Sequence, residues 1–175
     1  MNIAHTLLAG AALAVAMGSA AQAADLLSKP ADPIYSSPLF NFEGFYLGGD
    51  VGGAVTGGTL NGTVGVVVGA NFAVTDGILA GVEFQGDSYW NGGGFTAYDA
   101  IAFGRIGGFI SDNTLLYGDL GAGFMNTGGV YAVGGGAEMA LTGPLSLRGD
   151  AQIIGNWGAM PSTGRATVGL IWHMN

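Results

Sequence analysis

Acidic and basic side chains recur in this chain at even spacings, which place residues on the same side of an extended strand. Three pairs of charges are spaced in this way: Arg148 and Asp150 lie two positions apart, Glu83 and Asp87 four, and Asp99 and Arg105 six. Guanidinium and carboxylate groups that share a confined face form bidentate hydrogen bonds, so the expected chemistry is a network of ion pairs. Ten charges can lie on one face at once and form a predicted interior polar network: Asp50, Glu83, Asp87, Asp99, Arg105, Asp119, Glu138, Arg148, Asp150 and Arg165.

Residues that could support catalysis or hold a metal cluster are scarce. The only histidines are His5 and His173, and there is no cysteine. A Ser/His/Asp site would need His173 beside a serine of an outer loop, at the opposite end of the last strand, so we expect no enzymatic activity. We also expect no cofactor and no metal site. Asp50, Asp87 and Asp99 could bind a divalent cation, but pairing with arginine is the more ordinary role of interior carboxylates.

The composition excludes several classes of protein. The 175 residues include 9% charged residues, against roughly 25% in soluble domains, together with 49% hydrophobic residues and 35 glycines. The net charge of −8 and the four scattered basic residues argue against nucleic-acid binding. The absence of cysteine excludes a disulfide scaffold. The length suits one domain, and its surface must be unusually apolar.

Strands carry these charges, because hydrophobic residues alternate with polar ones at a period of two. The segment ILAGVEFQGDSYW at 78–90 separates into an apolar set and a set with two carboxylates and an amide. In the fourth predicted strand, Thr96–Ile110, the apolar residues Ile101 and Phe103 lie on the same face as the charged ones. A bulge or a mixed interior would explain this exception. Turns rich in Gly, Asn and Asp separate the segments. We predict eight strands: Gly44–Ala54, Gly62–Phe72, Ile78–Trp90, Thr96–Ile110, Thr114–Met125, Val130–Leu141, Leu145–Ile154 and Arg165–His173.

Lipid suits the apolar face of these strands better than water does. A soluble eight-stranded carrier has an apolar lining and a polar exterior, and this chain has too few charges for such an exterior. A closed barrel in a bilayer pairs every backbone donor. The predicted fold is therefore all-β, an eight-stranded antiparallel up-and-down transmembrane β-barrel, with short periplasmic turns alternating with longer outer loops.

The interior of an eight-stranded barrel is only wide enough for side chains to fill it. Inward glycines would make room for the long Arg, Glu and Tyr side chains, and seven acids would face three arginines. We therefore expect a salt-bridged, largely plugged interior. Aromatic residues toward the strand ends are predicted to lie at the membrane interfaces, where Trp and Tyr are enriched: Tyr46, Tyr89, Trp90, Trp157 and Trp172.

Two further segments are predicted before the barrel. Residues 1–23 contain the apolar run TLLAGAALAVAM and the small-residue pattern AQA, which are typical of a secretory signal peptide. Residues 24–43 contain three of the five prolines, which favour an extended Pro-rich N-terminal tail. The barrel itself is predicted to occupy 44–175.

Several glycine-rich motifs occur in a fixed order along the chain. FEGFYLGGDVGG at 42–53 is followed by FGRIGGF, LYGDLGAGF, VGGGAEMAL and LSLRGDAQI. In this order, and with the leader and ADLLSKPADP before them, they resemble the small alphaproteobacterial outer-membrane surface proteins. The resemblance implies an abundant, non-enzymatic eight-stranded barrel that supports envelope integrity or host contact; some relatives are described as haem-binding.

The predicted location is the cell outer membrane, and the predicted role is structural. Two alternatives remain open, namely a narrow passive pore and a surface protein that binds haem or another partner. Outer-membrane lipid is the expected partner, and other envelope proteins are further candidates. We expect neither nucleic acid nor a small-molecule substrate to bind.

Overall fold

Eight β-strands make up most of the chain that the structure describes. The structure is a computed structural model, and it describes residues 40–126 and 128–174. Within these ranges no helix is long and apolar enough to cross a membrane. The strands are β1 (Gly44–Thr56), β2 (Thr59–Thr75), β3 (Ile78–Asn91), β4 (Gly94–Ser111), β5 (Thr114–Met125), β6 (Gly128–Ala140), β7 (Leu145–Asn156) and β8 (Thr163–Met174).

The strands close into a barrel. Each strand pairs antiparallel with its neighbours in the chain, and β8 pairs with β1. The cross-strand partners can be followed round the ring, starting at Tyr46 and passing once through every strand. They return to β1 at Thr56 and not at Tyr46, so the strands are staggered. Such a stagger accompanies a strand tilt of about 35–45° against the barrel axis. The predicted eight-stranded up-and-down barrel is confirmed, and its closure leaves no unpaired strand edge.

Most connections are two-residue turns, so the strands are longer than the sequence predicted. The predicted loop VTGGTLN is reduced to a turn at 57–58, because residues 59–61 pair with β1. Gly57 and Gly58 have φ values of 56° and 87°, which glycine adopts without strain and which suit a tight hairpin. The expected longer outer loops are therefore wrong, except for the connection at 157–162 between β7 and β8.

The two ends of the barrel differ in charge. The terminal end holds the start of β1 and the end of β8, with the connections 76–77, 112–113 and 141–144. The hairpin end holds the connections 57–58, 92–93, 126–127 and 157–162, which contain no charged residue. Among the described residues, the charged side chains outside the bore all belong to the terminal end: Glu43, Asp76 and Asp112.

The outward face of the wall is apolar. Alternate residues of every strand turn outward because successive side chains point to opposite faces. This arrangement reverses that of a soluble barrel and requires an apolar surrounding. The exposed side chains include Phe45, Leu47, Val64, Val66, Val68, Phe72, Val82, Phe84, Ile106, Leu120, Phe124, Val168 and Leu170.

Candidate functional site

The barrel interior gathers the charged side chains that share one parity in the sequence. Strand alternation turns them inward, and the register aligns those of neighbouring strands. Asp119 and Asp150 are half-buried, and the other eight residues of the predicted network are buried. These eight are Asp50, Glu83, Asp87, Asp99, Arg105, Glu138, Arg148 and Arg165.

Glu83 is the centre of the network nearer to the terminal end. Its Oε2 accepts hydrogen bonds from Arg148 Nη1 at 2.5 Å, Tyr46 OH at 2.7 Å and Arg105 Nη1 at 3.3 Å. Arg148 also donates to Glu83 Oε1 at 3.2 Å, and its Nε lies 2.9 Å from Asp150 Oδ2. Two guanidinium groups thus offset the desolvation of one buried carboxylate.

Glu138 extends this network toward the strand ends. Its Oε2 lies 3.3 Å from Arg105 Nη2, and its Oε1 lies 2.6 Å from His173 Nε2. The guanidinium carbon of Arg105 sits 3.8 Å from the centre of the Tyr117 ring, a cation–π contact. The Tyr117 hydroxyl in turn donates to Asp150. The Tyr117 ring and the Glu138 carboxylate thus both contact the guanidinium group of Arg105.

Ser146, His173 and Glu138 are the residue types of a hydrolase triad, but their geometry is different. In a triad the serine and the acid bind opposite nitrogens of the imidazole. Here Ser146 Oγ at 3.3 Å and Glu138 Oε1 at 2.6 Å both contact Nε2 of His173, and Ser146 donates to Glu138 at 2.6 Å. All three residues are buried. The cluster joins β6, β7 and β8 and is not arranged to activate a nucleophile.

A second network, centred on Arg165, lies nearer to the hairpin end. Arg165 Nη1 contacts Asp87 Oδ2 at 2.5 Å, Asp99 Oδ2 at 2.9 Å and Tyr89 OH at 3.1 Å. Its Nε and Nη2 donate to Gln152 Oε1 at 3.1 Å and 2.5 Å. Tyr89 also donates to Asp99 at 2.5 Å. One positive charge therefore serves two carboxylates.

Asp50 lies between the two networks without an ion-pair partner among the described residues. Asp50 pairs across the strands with Gly169 on one side and Gly65 on the other. Gly169 in turn pairs with Arg148, and Gly65 pairs with Asp87. Neither of its carboxylate oxygens has a hydrogen-bond partner in the described part of the chain, although Asp50 is only 6% exposed. The interior charges are thus unevenly matched.

An apolar cluster lies inside the bore at the terminal end. Phe42 is 1% exposed, and its carbonyl oxygen accepts a hydrogen bond of 2.9 Å from Asn71 Nδ2. The end of the predicted tail thus enters the barrel, which the sequence analysis missed; the alternation of FNFE at 40–43 was the available signal. The signal peptide and the rest of the tail lie outside the described residues and stay predictions. The cluster consists of Phe40, Phe42, Leu79, Leu115 and Tyr117, with Phe109 and Ala140 packed against it.

A second apolar cluster lies toward the hairpin end. It includes the two residues that made strand four look irregular, Ile101 and Phe103, both buried inside the bore. A mixed interior therefore accounts for that pattern. The cluster consists of Ile101, Phe103, Val130, Ala132 and Ile154, with Met125 packed against it.

The predicted interfacial aromatic residues divide into two groups. Trp90, Trp157 and Trp172 point outward and are exposed. The prediction is wrong for Tyr46 and Tyr89, which are 0% and 2% exposed and bind the interior acids. Both tyrosines share the parity of the charged residues on their strands, so alternation identifies their face better than residue type does.

Comparisons with known proteins agree with this geometry at the level of the fold. No family model and no curated protein matches the chain. The solved structure of Ail from Yersinia pestis, in a phospholipid bilayer nanodisc, matches at 14% identity, covering 73% of this chain and 97% of Ail, with a TM-score of 0.50.

Two other solved structures resemble the chain more loosely. A de novo designed transmembrane β-barrel matches at 20% identity over 73% of this chain and 93% of its own, with a TM-score of 0.47. Neisserial surface protein A matches at 12% identity over 74% of this chain and 97% of its own, with a TM-score of 0.44.

The chain has the fold of an eight-stranded outer-membrane β-barrel. The cell outer membrane is the location consistent with this fold. The resemblance to the small alphaproteobacterial surface proteins stays a prediction, because identities this low show the fold alone.

Proposed function

We propose that the protein is a structural, non-enzymatic barrel of the outer membrane whose interior side chains block the passage of solutes. Its role is to support envelope integrity. The terminal end faces the periplasm, and the hairpin end faces outward.

The observation that carries this proposal is the succession of buried layers along the bore. The apolar cluster around Phe42 lies at the terminal end, and the Glu83 network is the next layer along the bore. The Arg165 network comes next, beside the apolar cluster around Ile101. Arg148, Glu138 and Arg165 are each at least 97% buried, so these three side chains are held by interior partners and are not offered to passing solutes.

The environment of His173 supports the absence of enzymatic and haem-binding roles. Its Nε2 is held by Glu138 and Ser146, and its ring lies 5.0 Å from that of Phe40 in a T-shaped contact. Its Nδ1 has no partner among the described residues but is also buried, so neither nitrogen is offered to a substrate or to a haem iron.

Conductance in planar bilayers tests the proposal. Refolded protein inserted into the membrane should give no steady unitary steps, while an open porin in the same bilayer provides the positive control. Heat-dependent gel mobility of the same preparation establishes that the barrel is folded. Regular steps from the wild-type chain would support the narrow-pore alternative and contradict the proposal.

The envelope role needs a cellular test. Deletion of the gene should increase sensitivity to detergent, and the wild-type gene should restore resistance. A deletion strain with normal detergent resistance but reduced uptake of small solutes would contradict a structural role.

A further inference from the structure

We propose that Asp50 and Asp87 form a calcium site inside the barrel. The site does not depend on the proposed function, because an interior cation is compatible with either a blocked or a conducting bore.

Gly65 brings the two carboxylates together. It lies between Asp50 and Asp87 in the register of β1, β2 and β3, and all three residues are on the inner face. A Cβ atom on Gly65 would meet Asp87 Oδ1 and would lie 2.9 Å from Asp50 Oδ1 and 3.0 Å from Asp50 Oδ2. These oxygens of the two acids all lie within 3.0 Å of that one position over the glycine, so both acids can reach one Ca²⁺ at about 2.3–2.6 Å.

The oxygen atoms that converge there lack other partners. Arg165 engages Oδ2 of Asp87 and Oδ2 of Asp99. Asp87 Oδ1, Asp99 Oδ1 and both Asp50 oxygens receive no hydrogen bond from any other described residue, although Asp50 and Asp87 lie close enough to share a proton, and all three acids are at least 94% buried. Asp50 is the one acid of the three that no cation contacts in the described part of the chain, and a buried carboxylate without a partner is costly, so this region favours a further positive charge.

The available donors fit calcium better than a transition metal. They are carboxylate oxygens, together with the Thr63 hydroxyl, which is also buried and without a partner two residues before Gly65 on the same face. Within the described ranges, no three acidic or histidine side chains converge to surround an ion. The site therefore offers two carboxylates and leaves the other ligand positions to water, and the irregular coordination of Ca²⁺ tolerates this better than the strict octahedron of Mg²⁺ does.

Thermal unfolding of the full chain, refolded in zwitterionic detergent, tests the site. CaCl2 should raise the midpoint by several degrees over EDTA, because a ligand that binds only the folded state stabilises it. MgCl2 and NaCl at equal ionic strength should raise it much less. In Asp50→Asn the calcium shift should disappear, and the midpoint in EDTA should rise because the unpaired charge is gone.

Two further variants keep the test decisive. Asp76→Asn removes an acid at the terminal end outside the bore and should retain the calcium shift. Gly65→Ala keeps both carboxylates but fills the space between them, so its calcium affinity should fall at least tenfold. The proposal is overturned if calcium shifts Asp50→Asn as much as wild type. It is also overturned if calcium does not shift the wild-type midpoint and Asp50→Asn is the only variant that changes how the midpoint depends on pH. Asp50 and Asp87 would then share a proton.

Discussion

At the scale of single residues, Glu83 has the most demanding position in the interior. It accepts four hydrogen bonds from Tyr46, Arg105 and Arg148, and the pair with Arg148 is almost fully buried. Removal of one member of a buried ion pair usually costs about 3–5 kcal/mol, because it leaves an uncompensated charge. The stability of the barrel should therefore be sensitive to each partner and less sensitive to their joint removal.

A double-mutant cycle tests this coupling. Arg148→Met should lower the free energy of unfolding by about 3 kcal/mol or more, because Glu83 and Asp150 lose a buried cation. Combining it with Glu83→Gln should cost less than the sum of the single variants. Urea unfolding followed by tryptophan fluorescence in lipid vesicles measures the three values. Additive losses would mean that the contact between Glu83 and Arg148 contributes nothing specific.

At the scale of the strands, glycine determines how closely neighbours approach. A Cβ on Gly52 of β1 would overlap the backbone carbonyl oxygen of Ala166 on β8, the strand that closes the ring. The outward-facing Gly104 of β4 has open space where a Cβ would be. The same substitution should therefore be destabilising at Gly52 and nearly neutral at Gly104.

Alanine at each glycine provides the comparison. Gly52→Ala should destabilise the barrel by about 1–3 kcal/mol, because backbone must move to relieve the overlap. Gly104→Ala should change stability by no more than about 0.5 kcal/mol. The temperature at which the folded gel band disappears ranks the variants. Equal temperatures for the two variants would argue against the close approach of β1 and β8.

Strand parity explains which parts of the site could be predicted. The even spacing of Glu83 and Asp87 was sufficient to place both on one face of β3, because successive side chains of a pleated strand point to opposite faces, and the scarcity of charges in the chain indicated that this face is the inner one. The same rule places Tyr46 on the face of Asp50, whereas the enrichment of tyrosine at membrane interfaces led to the wrong prediction for this residue. The contact of Ser146 with His173 could not be predicted, since it depends on the register between β7 and β8 and on the partners of Glu138. The lack of an ion-pair partner for Asp50 could not be predicted either, because it depends on which arginine reaches which acid.

At the scale of the whole molecule, closure and an apolar exterior make the barrel dependent on lipid or detergent. Large side chains such as Phe45, Val66 and Leu120 are mostly exposed around the wall. Water would disfavour such a surface, whereas hydrocarbon accepts it. The closed ring should also resist unfolding by mild detergent treatment.

Gel mobility tests the stability of the closed barrel, and membrane fractionation tests its dependence on lipid. Unheated protein in SDS should migrate faster than the boiled protein, because the closed barrel stays compact, and the native protein should fractionate with the outer membrane. Identical mobility before and after boiling would contradict a stable barrel. A monomer that stays dissolved in detergent-free buffer would contradict a lipid-facing wall.

The uncharged hairpin end has a consequence for assembly. With the terminal end at the periplasm, as proposed above, insertion would carry the connections 57–58, 92–93, 126–127 and 157–162 across the hydrocarbon layer, and none of them contains an ionised group. The acids Asp76 and Asp112 stay behind at the entry side, where crossing would be expensive. The molecule therefore has a preferred direction of travel through a bilayer, set by its own turns.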